Sequence, residues 1–308
     1  MAERKWSYIR GLTQKEEMMK SKYKGIIYIL CAAFCFALMN VFVRLSGDLP
    51  SLQKAFFRNL VALIFALIII RKDKIKIEWK KGDGKYLFLR ALFGTLGVFC
   101  NFYAVDHLVL SDASMLNKMS PFFAIVFSYF ILKERINLIQ LSSVVVALIG
   151  CMFIVKPSFS NIDLIPALIG LSGGLCAGIA YTMVRILGKQ GVKGPLVVFI
   201  FSTFSCLASV PYMLFHYKAM SGIQVVYLLL AGLAAAGGQF GITAAYFHAP
   251  AKEISIYDYS QVIFAAIFGF FLFNQVPDAF SFLGYVLICS MAVVMFVYNK
   301  KKRMLDKT

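Results

Sequence analysis

Lys118 and Asp258 are ionisable residues set deep inside long apolar stretches, 140 positions apart. A charge in such a setting costs roughly 2.5–3.5 kcal/mol even on lenient insertion scales, so each needs a compensating role. Together they can take a zwitterion, with its ammonium at Asp258 and its carboxylate at Lys118. Asp258 can instead serve as a coupling group, because a carboxylate desolvated in one state and hydrated in another takes up and releases a proton. The plainer alternative is a buried salt bridge that ties two parts of the chain together and adds little net stability. Uncharged polar residues accompany the pair. Asn117 adjoins Lys118, and Tyr257 and Gln261 lie within a turn of Asp258. Asn101 and Tyr103, then Gln239, Thr243 and Tyr246, add amides and hydroxyls from two other apolar segments. Such groups among phenylalanines suit a ligand with a polar head and an apolar body, although for any single one of them interhelical hydrogen bonding is the favoured reading. Arg44 and Arg58 offer an outer vestibule for anionic groups or, alternatively, pairing with Asp48. Arg90 reads as a side chain snorkelling from a helix start to the interface.

The elements that must position these residues are membrane spans. Hydrophobic residues make up 60% of the 308 and charged residues only 15%, against about 45–50% and about 25% in soluble domains. A helix needs about 20 apolar residues to cross the hydrocarbon core. Ten segments qualify, at 25–46, 52–71, 85–105, 110–132, 138–155, 165–187, 195–217, 222–246, 252–273 and 279–299. They use nearly all of the chain and leave no room for a separate catalytic module. The basic, polar stretch 1–24 leads straight into a full-length apolar segment, which is too long for a signal-peptide core, and is expected to be a retained tail.

Several function classes are thereby disfavoured. The net charge of +17 does not point to nucleic acid, because the basic residues sit in loops and tails where orientation signals belong. The seven cysteines (Cys31, Cys35, Cys100, Cys151, Cys176, Cys206 and Cys289) all lie in apolar segments with no metal-type spacing. No metal or cofactor is expected. A membrane-embedded lipid-modifying enzyme would require clustered carboxylates or histidines, whereas His107, His216 and His248 fall in separate loops. A passive channel would need a selectivity ring, which usually arises from oligomer symmetry or a repeated loop. No phosphate-cradling GxxxxGK[ST] loop exists to couple ATP.

Charge asymmetry sets the orientation. Twenty-four loop and tail lysines and arginines fall on one side of a ten-span arrangement, with Lys156 and Lys218 on the other. Positive flanks are poorly translocated, so both termini are expected in the cytoplasm. The chain also repeats itself. Val43-Arg44-Leu45 answers to Val184-Arg185-Ile186, Ser120-Pro121-Phe122-Phe123 to Ser260-Gln261-Val262-Ile263, and Phe130 through Glu134 to Phe270 through Asn274, at offsets of 140 or 141. An odd number of spans per copy inverts the second copy, which is how many secondary transporters obtain two facing states of similar energy. Small-residue faces (Gly170, Gly174 and Gly178; Gly237, Gly238 and Gly241; Gly94 and Gly97) allow close helix approach. Pro121 predicts a kink one turn from Lys118 that bares carbonyls beside the pair.

These residues resemble the drug/metabolite transporter superfamily, in its ten-helix EamA-type branch. The resemblance is carried by Leu110-Ser111-Asp112-Ala113-Ser114 through Ser120-Pro121, by Phe130-Ile131-Leu132-Lys133-Glu134-Arg135, by Ala147-Leu148-Ile149-Gly150-Cys151, and by Arg58. It departs from the family at Asn274-Gln275, where Gly-Glu is usual, and at Gln261, where Pro is usual. It implies an all-α membrane protein of ten transmembrane helices, as two inverted five-helix repeats around a central cavity. The expected organisation is a basic tail over 1–24, repeats over 25–155 and 165–299, and a basic tail over 300–308. The implied activity is transport of a small polar or zwitterionic metabolite, such as an amino acid or a derivative like S-adenosylmethionine, across a bacterial plasma membrane. An exporter of cationic or aromatic drugs or amines is the alternative. Membrane lipids and the small-molecule substrate are the expected partners.

Overall fold

The computed structural model describes the backbone of residues 2–76, 80, 82–132, 137–155, 163–248 and 255–305. Side chains are described from Tyr23 onward, apart from those at 128, 132, 243, 246–248, 255, 256, 299, 300 and 302–305. The expected turn Lys133-Glu134-Arg135 and the side chains of Thr243 and Tyr246 lie outside the described residues.

Among the described residues every apolar stretch folds as helix, because a backbone without water must satisfy its own hydrogen bonds. The elements are α1 (Ala2–Leu45), α2 (Ser51–Lys72), α3 (Asp83–His107), α4 (Leu110–Asn117), α5 (Ser120–Leu132), α6 (Leu138–Val155), α7 (Leu164–Lys189), α8 (Gly194–His216) and α9 (Gly222–His248). A 3-10 turn (Ser255–Tyr259), α10 (Ser260–Phe273) and α11 (Ala279–Leu305) follow. Eight of these helices are long and apolar enough to span a membrane, the first over Tyr23–Leu45. The other two crossings are interrupted. The fourth, expected as one helix over 110–132, is split into α4 and α5. The ninth enters through the 3-10 turn before α10. The protein is thus an all-α membrane protein of ten crossings.

The way the crossings pack has the symmetry of the sequence repeat. α1 packs on α9 as α3 packs on α7, α2 lies against α8, and α6 against α11. α1 also touches α10 as α7 touches α5, and α2 touches α9 as α8 touches α3. Exchanging the two five-crossing halves leaves this pattern unchanged, as inverted repeats require. The outward surface is apolar, with Phe215, Phe271, Leu214 and Val276 among the strongly exposed residues, while Asn40, Arg58, Asn59, Arg90, Asn101 and Lys118 are buried. This inside-out polarity is what a lipid solvent selects.

Glycines set the closest helix contacts. A Cβ at Gly174 in α7 would stand 2.5 Å from the carbonyl oxygen of Leu116, and one at Gly178 would stand 2.9 Å from that of Ser120. α7 is therefore pressed against the gap between α4 and α5. The same device closes the α6–α11 crossing, where a Cβ at Gly284 would lie 2.6 Å from the Gly150 carbonyl. At the end of α10, Asn274 adopts a left-handed conformation (φ 52°). Asparagine is among the few side chains that tolerate this region, so it can occupy a position where the resembling family usually has glycine.

Candidate functional site

The split in the fourth crossing falls at Lys118 and Met119, two residues before the expected kink at Pro121. Proline has no N–H to offer the carbonyl four residues earlier, so the helical ladder cannot run on past Asn117. Lys118 caps α4 with non-helical backbone (φ −74°, ψ 3°). Its carbonyl accepts a hydrogen bond from the Tyr259 hydroxyl at 3.1 Å, out of the 3-10 turn of the ninth crossing. The two interruptions therefore meet. Across that meeting point Lys118 Nζ donates to Asp258 Oδ2 at 2.5 Å, while Asp258 Oδ1 is buried with no hydrogen-bond partner among the described residues. A carboxylate with one oxygen engaged and one free can accept a further donor.

Beside the pair lies a central cavity of about 90 Å³. Of the residues assigned to a central cavity from sequence, Asn101, Asn117, Lys118, Gln239 and Gln261 line it. Asn101 also donates to Asn40 Oδ1, and Asn40 to Ser114 Oγ, both at 3.4 Å, so a chain of amides joins α3, α1 and α4. Asp258 approaches this group through Lys118. Tyr257 does not line the cavity: it packs against Ile29 and Ala245, with its ring edge-on to Phe296 at 6.5 Å. Tyr103 is also elsewhere. It lies a turn before the end of α3 and stacks on His107 (4.1 Å between centroids), whose Nδ1 is 2.8 Å from the Tyr103 carbonyl.

The two arginines assigned to an outer vestibule are not together. Arg44 donates to Gln275 Oε1 and to the Leu108 carbonyl, both at 2.8 Å, and lies over the Phe273 ring. Gln275 Oε1 also accepts the Leu110 N–H at 3.0 Å. Arg44 thus clasps the end of α1 to two loops. Arg58 instead lines the central cavity, 3% exposed. Neither shows an ion pair with Asp48 among the described residues. Arg90, read from sequence as snorkelling, is 6% exposed and faces the same cavity. It does not reach an interface because its guanidinium folds back over Gly94, into space a Cβ there would fill, and rests on Phe201 at 4.5 Å from the ring centroid. An arginine followed four residues later by glycine was the available signal.

Other buried polar groups act as struts. Lys54 at the start of α2, 1% exposed, pairs with Asp106 at 2.5 Å, which also accepts from the Ser51 hydroxyl. Asp106 thus belongs to this tie. Asp112 accepts from Tyr285 at 2.5 Å and from Ser281 at 3.2 Å, joining α4 to α11. Among the described residues no group of three His, Cys, Asp or Glu side chains is placed to hold a metal ion.

A bundle of inverted halves with two interrupted crossings meeting at a central polar cavity defines a secondary-transporter scaffold. The EamA-like transporter family profile matches residues 23–156. A pseudopaline exporter of Pseudomonas aeruginosa is 31% identical over 275 residues, spanning 88% of this chain and 94% of that protein. An S-adenosylmethionine uptake transporter of Rickettsia prowazekii is 24% identical over 94% of this chain and 98% of its own length. Solute carrier family 35 member G1 of Mus musculus is 26% identical over 87% and 77%. A crystal structure at 14% identity superposes with a TM-score of 0.63 over 90% of this chain and 98% of its own, which supports the fold. The chain belongs to the EamA-like family of the drug/metabolite transporter superfamily. It is a multi-pass membrane transporter of metabolites, not an enzyme.

Proposed function

We propose that the protein moves a small polar or zwitterionic metabolite, an amino acid or amino-acid derivative, across a bacterial plasma membrane by alternating access. The substrate carboxylate is taken by Lys118 and its ammonium by Asp258, with Asn101, Asn117, Gln239 and Gln261 supplying orienting hydrogen bonds. The observation that carries this reading is the meeting of both interrupted crossings at the Lys118–Asp258 pair, at the edge of the cavity. Breaks at equivalent positions of two inverted repeats are where transporter sites are built, because freed backbone and charged groups converge there. The pair keeps each charge compensated when the cavity is empty and is opened by a substrate carrying the complementary charges. Residues 25–155 and 165–299 act as the two moving repeats, with the basic segments 1–24 and 300–308 in the cytoplasm. One relative is named as an exporter and another as an uptake transporter, so the scaffold serves either direction.

The test is counterflow of a labelled amino-acid panel into proteoliposomes. Asp258→Asn and Lys118→Met are expected to reduce flux by roughly ten- to a hundredfold, the loss expected for one charged hydrogen bond. Both should still elute as folded protein. Wild-type flux in Asp258→Asn would remove this pair from the substrate site.

A further inference from the structure

We infer that Arg58 and Arg90 form a second, anion-accepting subsite in the central cavity, and that the transported metabolite carries at least two oxyanion groups, carboxylate or phosphate. This rests on the cavity being the substrate site, as proposed above. Among the cavity-lining residues Arg58, Arg90 and Lys118 are basic and none is acidic. Lys118 is compensated by Asp258. The two arginines have no carboxylate partner among the described residues.

Arg58 is held in place without being neutralised. Its Nη1 donates to Asn59 Oδ1 at 2.5 Å, and the Asn59 amide is anchored on Ser205 Oγ at 2.6 Å. Its Nε is buried with no hydrogen-bond partner among the described residues. The Arg90 side chain shows no hydrogen bond among the described residues, and its Nε is likewise buried and unsatisfied. Both guanidinium groups gather on one ring, Phe201, at 5.9 Å and 4.5 Å from its centroid.

Two like charges brought out of water beside one aromatic ring are unfavourable without a counter-charge, and stacking on the ring offsets only part of that. A structural brace would be better made from apolar side chains. The arrangement is instead what an oxyanion requires: planar donor forks, already desolvated and fixed in direction by Asn59 on one side and Gly94 on the other. A substrate that places an ammonium and a carboxylate at the Asp258–Lys118 pair would present its further carboxylate or phosphate to the arginines. It would be a net anion. A cationic drug or amine would meet three basic groups in the lining, which sets that alternative aside.

The experiment is a thermal-shift titration of the purified full-length protein at constant ionic strength. The probes are glycine, iminodiacetate and O-phosphoserine, applied to wild type, Arg90→Met, Arg58→Met, Gly94→Ala and Asp258→Asn. Iminodiacetate or O-phosphoserine is expected to bind wild type at least about tenfold more tightly than glycine, and whichever is tighter identifies carboxylate or phosphate. Both arginine variants should abolish that preference and leave the glycine response. Gly94→Ala keeps both charges but displaces Arg90, and should weaken only the two-oxyanion probes. Without ligand, the arginine variants should melt no earlier than wild type, because an uncompensated buried charge has been removed.

Earlier melting of both arginine variants would make the arginines structural and overturn the inference. So would equal binding of all three probes, an unchanged preference in the arginine variants, or no response of wild type to any probe. If Asp258→Asn responds like wild type while the arginine variants lose their preference, the charge-pair reading fails and the arginine subsite stands. The reverse pattern removes the arginine subsite alone.

Discussion

At the scale of single residues, the buried polar side chains divide by whether a partner within the protein completes them. Asp112, Tyr285 and Ser281 complete one another, so Tyr285→Phe should cost about 1 kcal/mol, a typical value for an interhelical hydrogen bond in a membrane. Chemical unfolding in mixed micelles would measure it, and transport should survive. Lys54 and Asp106 complete each other as well. Among the charged groups Arg58, Arg90 and one oxygen of Asp258 are left incomplete, as are the hydroxyls of Thr95, Ser143, Ser202 and Ser260; the charged ones are the groups assigned to ligands. Lys118 and Asp258 were legible from sequence because two charges inside apolar runs shared the offset of the repeats. Arg90 was not, because an arginine seven residues into a helix ordinarily reaches for the interface. What holds it inside is the missing side chain at Gly94 and a ring on a helix more than a hundred positions away. Tyr103, two residues from the cavity-lining Asn101, falls on another side of α3, and Tyr257 sits in the 3-10 turn; neither lines the cavity.

At the scale of elements, the fourth and ninth crossings are where helical regularity fails and where the site forms. Ten crossings could be read from segment length, and the fourth could be read as bent from Pro121. What could not be read is that α7 presses its glycines against the resulting gap. Gly174→Ala would place a methyl group 2.5 Å from the Leu116 carbonyl, where backbone rather than a flexible side chain must yield. We expect it to destabilise the protein by about 1–3 kcal/mol and to lower flux. An equivalent substitution at Gly188, where a Cβ would meet nothing within 4 Å, should be silent in both assays.

At the scale of the whole molecule, the halves share a scaffold but not a chemistry. Helix pairing is preserved when they are exchanged, yet Arg58, Arg90 and Lys118 all come from the first half and Asp258 from the second. Function has been written onto a symmetric frame asymmetrically, which is why the repeat reveals the architecture more readily than the ligand. Loop charge predicts that reporters fused to either terminus are active only in the cytoplasm. Activity of either fusion on the far side of the membrane would reverse the orientation.

In the alternating-access reading proposed above, the clasp of Arg44 on Gln275 weighs on the balance between the two facing states. It joins the end of α1 to the loops before α4 and after α10, so separating these elements would have to break it. Because its acceptor is an amide, the clasp neither titrates nor responds strongly to salt, and the shut form is held with modest force. Gln275→Glu would turn it into an ion pair and deepen that one well. Turnover should then slow while affinity measured from the opposite face is preserved or improved, since a shift in population alters the frequency of exchange and not the contacts made with cargo. On that reading a neutral latch at this position eases reopening.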